Sequence, residues 1–391
     1  MRVLVEGSGG DAGWPQPGCR CASCLRMGEN IRVRSTIVVD GTLRLGGGGG
    51  EGGDTGGGDA GAGMGDSGGG GEDSGSGSED FRRGAAGGYR VRRLADARDG
   101  GVTGGWDVTG PDGERLLSPA RPGAVPVAAE GAAAYDIAFL DLLGEPAQLG
   151  LLRARGLITA DTVTAVAFAD HRVSSEAELR QRCGFWRVML AGDGDTVTTG
   201  RSAERSFEPS RVPWRVLVLG GARSGKSEQA ELRLAGEPDV TYVATGAAPE
   251  VGDPEWARRV AAHRGRRPTW WRTAETTDLA GVLASARGAL LIDGIGTWLA
   301  AAMDECGAWD GSAHSAVRLA ARIAGLTGAW RQTGAHVVAV SDEAGLGVVP
   351  ETRAGRLFRD ELGRLNQVLA AESEEADLVV AGRVMPLVTP P

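Results

Sequence analysis

Residues Arg215-Val-Leu-Val-Leu-Gly-Gly-Ala-Arg-Ser-Gly-Lys-Ser227 constrain the fold of this chain more than any other stretch. An apolar run of strand formers passes directly into the spacing G-x-x-x-x-G-K-S, and helix formers follow from Glu228 to Leu234. A strand, a glycine-rich turn and a helix start, in that order, wrap backbone N–H groups around a polyphosphate. Gly220, Gly221, Ala222, Arg223, Ser224 and Gly225 make the turn, and the outer two glycines let it be tight. Lys226 reaches the outer phosphates, Ser227 offers its hydroxyl to Mg²⁺, and the positive end of the helix dipole faces the anion. The alternative is a glycine-rich αβ turn with no ligand; the context on both sides favours nucleotide binding.

Beyond this turn the pattern alternates strand and helix. Strands are expected over 239–244, 289–293, 336–341 and 376–381, and a long amphipathic helix over 352–373. A further helix is expected over 256–263, started by Asp253-Pro-Glu255 with its acidic N-cap and first-turn proline. Strands alternating with helices imply an α/β fold, a mostly parallel sheet with helices on both faces. Ligands of such sheets sit at the carboxyl ends of the strands. Asp293 ends a hydrophobic strand, where a carboxylate serves Mg²⁺; the alternative is an acid that caps the next turn. His263 stands among three arginines, in Ala262-His-Arg-Gly-Arg-Arg-Pro268. Such a histidine is either a solvated helix-end residue or a nucleophile kept neutral by the arginines, which also suit phosphate oxygens.

Composition organises the rest. Glycine makes up 65 of 391 residues, and it concentrates in residues 46–80, where almost nothing is apolar. That segment cannot offset its ordering entropy by burial and is expected to be a disordered insert. A second polar stretch, 201–213, reads as a linker that separates a region 1–200 from a domain 214–391. The net charge of −9 argues against nucleic acid as a partner. No apolar run is long enough to span a membrane, and the short N-terminus reads as a first strand, so a cytoplasmic location is expected. A second strand is expected over 35–45. Three of the five cysteines crowd at Cys19, Cys21 and Cys24, which does not suggest a disulfide framework.

Seven stretches of the second half together make a more specific pattern. They are Gly220 to Ser227, Tyr242-Val-Ala-Thr245, His263-Arg-Gly-Arg-Arg-Pro268, Trp271-Arg-Thr-Ala-Glu275, the Asp293 strand, Asp342 to Pro350, and Phe358 to Gln367. In this order they resemble the bifunctional adenosylcobinamide kinase/adenosylcobinamide-phosphate guanylyltransferase family of cobalamin biosynthesis, over 214–388. The resemblance implies two reactions. Adenosylcobinamide is phosphorylated with ATP or GTP, and GMP then passes from GTP, by way of a guanylylated histidine, to give adenosylcobinamide-GDP. It places that histidine at His263, the phosphate cradle at Gly220 to Ser227, and Mg²⁺ at Ser227 and Asp293. Thr245 and Glu275 are expected at the nucleotide or corrinoid pocket, with packing as their alternative. Trp270 and Trp271, read as neighbours on a strand, are expected to point to opposite faces. Two positions depart from the family: Asp293 stands where a glutamate is usual, and Ala262 where a first histidine is usual. The family also implies a homotrimer. The competing functions are a P-loop small-molecule kinase and a nucleotide-binding regulatory protein, both without guanylyltransferase activity.

The opening, from Val3 through Cys24, resembles metallo-β-lactamase-fold hydrolases of the phosphodiesterase-like kind. That resemblance implies an αβ region in 1–200, degenerate because the H-x-H-x-D-H metal loop is missing and His171 is the only histidine before His263. Asp141 and His171 would be relics of later metal positions. Cys19, Cys21 and Cys24 are either unliganded thiols or ligands of a structural Zn²⁺ completed by His171 or water.

Overall fold

The computed structural model describes residues 1–46, 81–82, 88–95, 103–120, 133–200, 214–246, 258, 261 and 264–388. They form two compact units, the first made of Met1–Glu145, Thr162–Glu176 and Met189–Ala203 and the second of Pro146–Asp161, Ala177–Val188 and Glu204–Pro391. The glycine-rich 46–80 lies outside the described residues except for Gly46, which ends a strand. The stretch 201–213 lies outside them entirely.

The first unit holds two sheets. Its strands are β1 (Arg2–Gly7), β2 (Thr36–Val39), β3 (Leu43–Gly46), β4 (Phe81–Arg82), β5 (Arg90–Ala95) and β6 (Thr103–Thr109). They continue with β7 (Arg115–Ala120), β8 (Ile137–Leu140), β9 (Val163–Val166), β10 (Met189–Leu190) and β11 (Thr196–Thr198). The orders are β11-β1-β2-β3 and β10-β9-β8-β7-β6-β5-β4. One core joins them: Val3, Val5, Ile37 and Val39 from the first sheet pack with Val108, Leu116, Ile137 and Phe139 from the second. A short helix, α1 (Ala22–Met27), follows the cysteine trio. The single strand expected over 35–45 is a hairpin. Val39 pairs with Leu43, and in the three-residue connection between them Asp40 and Gly41 both have positive φ, 47° and 71°, a backbone that tight hairpin connections use.

Two helices from the first half, α2 (Ala147–Ala154) and α3 (Glu176–Trp186), belong almost wholly to the second unit. Arg153 of α2 donates to the carbonyls of Gly236 and Trp186 at 2.8 and 2.9 Å, and the Trp186 indole N–H donates to Leu232 O at 3.0 Å. Gly150 permits this approach, since a Cβ there would lie 2.7 Å from the carbonyl oxygens of Ala235 and Glu237.

The second unit is a seven-stranded sheet. Its strands are β12 (Trp214–Gly220), β13 (Val240–Ala244), β14 (Arg272–Glu275), β15 (Ala289–Asp293), β16 (His336–Asp342), β17 (Glu375–Val380) and β18 (Arg383–Val388). The order is β14-β13-β15-β16-β12-β17-β18, parallel throughout except for the antiparallel β18. Helices α4 (Lys226–Leu234), α5 (Leu279–Ser285), α6 (Ile295–Cys306), α7 (Ala313–Gln332) and α8 (Arg353–Ala371) cover it. The central strands β12, β15 and β16 are apolar on both faces, as a covered parallel sheet requires, whereas the edge strands β14 and β18 are largely exposed. Val216 and Val218 pack with Ala230 and Leu234 of α4, while Leu217 and Leu219 pack with α5 to α8. The expected α/β architecture is therefore present, with the expected strands displaced by a residue or two at most. Of the helix expected over 256–263, only Arg258 and Ala261 are described; both are helical, as are Arg264, Gly265 and Arg266.

Candidate functional site

The carboxyl ends of β12, β13, β15 and β16 gather the polar residues. At the tip of β12 the chain turns through Gly220 to Gly225 into α4, whose N-cap is Gly225 with φ 95°. That left-handed backbone suits glycine. Arg223 also has positive φ, 58°, and its side chain is exposed. Ser224 is buried, and its hydroxyl oxygen has no partner among the described residues. Lys226 curls back to donate to Gly221 O at 3.1 Å and pairs with Asp342, at the end of β16, at 2.9 Å.

Ser227 and Asp293 meet across this crevice. The Ser227 hydroxyl lies 3.4 Å from Asp293 Oδ1. The other carboxylate oxygen accepts a hydrogen bond from the Tyr242 hydroxyl, brought alongside because β13 and β15 are paired. Burial and the adjacent Asp293 charge push the Tyr242 phenol far above its ordinary value, so it stays protonated and donates. The position that caps α6 is Gly294, not Asp293. Two oxygen donors of opposite elements thus converge beside the glycine-rich turn, a donor set suited to a hard divalent cation.

Thr245 and Glu275, also expected here, behave differently. Thr245 is 2% exposed, and its hydroxyl is committed to Gly294 O and the Thr297 hydroxyl, so it braces the turn between β15 and α6. Glu275 ends β14, half-exposed, and pairs with Arg264 at 2.7 Å. The three arginines after position 263 were expected to suit phosphate oxygens; each is engaged within the fold. Arg266 pairs with Glu231 of α4 at 3.2 Å, which raises its guanidinium pKa. Arg267 lies over the Tyr242 ring, 3.7 Å from its centroid, and donates to Thr273 at 3.3 Å. His263 itself lies outside the described residues. Trp270 and Trp271 do not point to opposite faces: β14 begins only at Arg272, and both indoles join the same cluster on the α4 side.

A second group of chemistry-bearing residues lies in the first unit. One ligand atom from each of Cys19, Cys21, Cys24 and His171 falls within 4.8 Å of every other. His171 Nδ1 is 3.5 Å from Cys19 Sγ and 3.7 Å from Cys24 Sγ. Asp141 is held in a part-buried pair with Arg172 at 3.0 Å, so the two residues expected as relics of metal positions have different partners.

Residues 216–387 match the family model described as cobinamide kinase / cobinamide phosphate guanyltransferase. The chain is 40% identical to the bifunctional adenosylcobalamin biosynthesis protein CobP of Pseudomonas aeruginosa over 181 residues, which are 96% of that protein and 44% of this one. The chain belongs to this family. It is similarly 39% and 38% identical to the CobU proteins of Salmonella typhimurium and Escherichia coli, covering 96% of each and 43% of itself. The family match takes in the glycine-rich turn, Asp293 and the arginine segment, and leaves residues 1–215 outside it. A solved structure, the flagellar accessory protein FlaH of Methanocaldococcus jannaschii, overlaps 46% of the chain at 10% identity with a TM-score of 0.25, too weak a likeness to bear on the fold. Among the described residues, no helix is long and apolar enough to cross a membrane.

What the sequence did not single out in this cobinamide kinase-type site is its bracing: Tyr242 on Asp293, Asp342 on Lys226, and Thr297 on Thr245. Asp342 could have been found, because it ends a strand as Asp293 does. Tyr242 opens one of the seven stretches, but nothing in it points to Asp293, and Thr297 lies in none of them.

Proposed function

We propose that this protein phosphorylates adenosylcobinamide and then guanylylates the product. The observation that carries the reading is the 40% identity across nearly the whole of a bifunctional relative, in a chain whose Lys226, Ser227 and Asp293 converge at one crevice. In the first reaction the aminopropanol hydroxyl oxygen of adenosylcobinamide attacks the γ-phosphorus of ATP or GTP. The bond to the nucleoside diphosphate breaks, and the hydroxyl proton is lost. Lys226 and the amides of 220–225 take up charge on the phosphate oxygens, and catalysis is chiefly positioning and electrostatic stabilisation. Lys226 must leave Asp342 to do so. Ser227 and Asp293 are the residues that would hold Mg²⁺, which neutralises charge between the outer phosphates when bound. Asp293, shorter than the usual glutamate, sits at the strand tip with one oxygen held by the Tyr242 hydroxyl and the other facing Ser227.

In the second reaction a ring nitrogen of His263 attacks the α-phosphorus of GTP and pyrophosphate leaves. An oxygen of adenosylcobinamide phosphate then attacks that phosphorus, the N–P bond breaks, and the imidazole is restored. Arg264, Arg266 and Arg267 anchor the segment that follows His263 to β14, α4 and Tyr242. Glu275 contributes by holding Arg264, and Thr245 by fixing the Gly294 turn. The reading includes a homotrimer, for which Leu346, Val348 and Val349 offer exposed apolar surface.

Incubation of the protein with Mg²⁺ and GTP labelled at the α-phosphate tests the assignment directly. Acid-labile label on the wild type and none on His263→Ala supports it. Nucleotide binding without label leaves the small-molecule kinase and the nucleotide-binding regulatory protein.

For the first unit we infer a hydrolase-like region without its catalytic metal loop, supported by two sheets around one core and by the scarcity of histidine. Its cysteine cluster suits a structural Zn²⁺: three thiols and one imidazole complete the tetrahedral donor set that three cysteines alone would leave open.

A further inference from the structure

Tyr242 is 4% exposed and touches the site twice. Its hydroxyl donates to Asp293 Oδ2, while Asp293 Oδ1 faces the Ser227 hydroxyl at 3.4 Å. Its ring carries the Arg267 guanidinium at 3.7 Å, four residues beyond His263. Cation–ring contacts are directional and strengthen as water is excluded, and Arg267 is half-buried here. One side chain therefore joins the acid proposed for the metal to the segment proposed for the covalent intermediate. A carboxylate that binds a cation through one oxygen is held in orientation by a donor on the other.

We propose that Tyr242 is a positioning residue for both reactions: its hydroxyl orients Asp293 toward a divalent cation, and its ring seats the Arg267 guanidinium, which the guanylyl transfer uses. This rests on the function proposed above and adds to it a division of labour within one residue. The hydroxyl serves both transfers through the metal. The ring serves only the guanylyl transfer. Placement two residues before the end of β13 makes this geometry available, because the parallel register sets Tyr242 beside Leu291 and Ala244 beside Asp293, and the long phenol spans the step.

Two variants separate the parts. Tyr242→Phe keeps the ring and its volume and removes only the hydroxyl; Arg267→Met keeps an apolar stem and removes the guanidinium. Mn²⁺ binding is read by electron paramagnetic resonance with a non-hydrolysable ATP analogue present, and covalent labelling by α-labelled GTP. For Tyr242→Phe the expected result is Mn²⁺ affinity weaker by about tenfold, the usual loss when a ligand's orienting partner is removed. Metal-free nucleotide affinity should stay unchanged, and label should still form once Mg²⁺ saturates. For Arg267→Met the expected result is slower labelling with Mn²⁺ affinity retained. Unchanged Mn²⁺ affinity in Tyr242→Phe overturns the role of the hydroxyl, and wild-type labelling by Arg267→Met overturns the role of the ring. A wild type that binds Mn²⁺ but takes no label overturns the guanylyltransferase reading itself and the ring's role with it; the hydroxyl's role is still decided by the Mn²⁺ affinities.

Discussion

Gly220 and Gly221 are adjacent in the phosphate turn, yet a methyl group added to each should act in opposite directions. At Gly220 an added Cβ would lie 2.4 Å from the Ser224 hydroxyl and 2.8 Å from Val379 O. The hydroxyl can rotate away. The carbonyl cannot, because Gly220 is paired in register with Val379 and its own carbonyl accepts from Glu343 N at 3.1 Å. Overpacking of this kind costs about 1–3 kcal/mol, offset by about 0.4–1 kcal/mol from the stiffer unfolded chain. At Gly221 an added Cβ meets nothing within 4 Å and the backbone is not left-handed, so only the favourable part remains. Gly220→Ala should therefore be the less stable of the two by about 1–3 kcal/mol, worth about 2–4 °C per kcal/mol in a domain of this size. Because the chain holds two units, a single whole-chain midpoint would blur the result. Hydrogen exchange at the β12 amides isolates it. Equal protection in the two variants, or lower protection in Gly221→Ala, would refute the claim that the Val379 carbonyl sets the limit.

Other expectations follow from contacts around the same crevice and from the cysteine cluster. Lys226→Met should lower kinase turnover by about 10²–10³, as loss of a preorganised charge on the reacting group does. Its effect on stability should be small, about 1 kcal/mol or less, because the partner Asp342 is half-exposed; hydrogen exchange at the α4 amides beside a kinase assay checks both halves. Asn366→Ala should destabilise the second unit by about 1–3 kcal/mol, since it strands the buried Ser341 hydroxyl and the Asp342 carbonyl; hydrogen exchange at the β16 amides reads it. The full chain purified with Zn²⁺ should carry the metal stoichiometrically and Cys24→Ser should lose it, by elemental analysis; equal metal in both would dismiss the four-ligand site.

What was legible in the sequence is what neighbouring residues decide among themselves. The turn from Gly220 to Ser227 is one continuous segment, and its strand before and helix after are where local preference puts them. Strand-end acids are legible for the same reason: Asp293 closes an apolar run, and the sheet must deliver it to the ligand edge. Reading 35–45 as one strand failed on a local signal, Asp40-Gly41, that was present but outweighed by the apolar residues around it. The tryptophan pair failed because β14 starts one residue after Trp271, which frees both indoles from alternation. The arginines after position 263 show a deeper limit. Their charge reads as a phosphate site, yet whether each guanidinium faces a ligand or a neighbour depends on Glu231, Tyr242 and Glu275, which lie 11 to 35 positions away in the chain. The same holds for Tyr242, an ordinary strand tyrosine until the sheet order sets β13 beside β15. Residues that meet the substrate tend to be written in short motifs, whereas residues that hold those motifs in place are recruited across the sheet. A family motif can therefore hold both a group that reacts, such as Lys226, and a group that aims one, such as Tyr242, without telling the two apart.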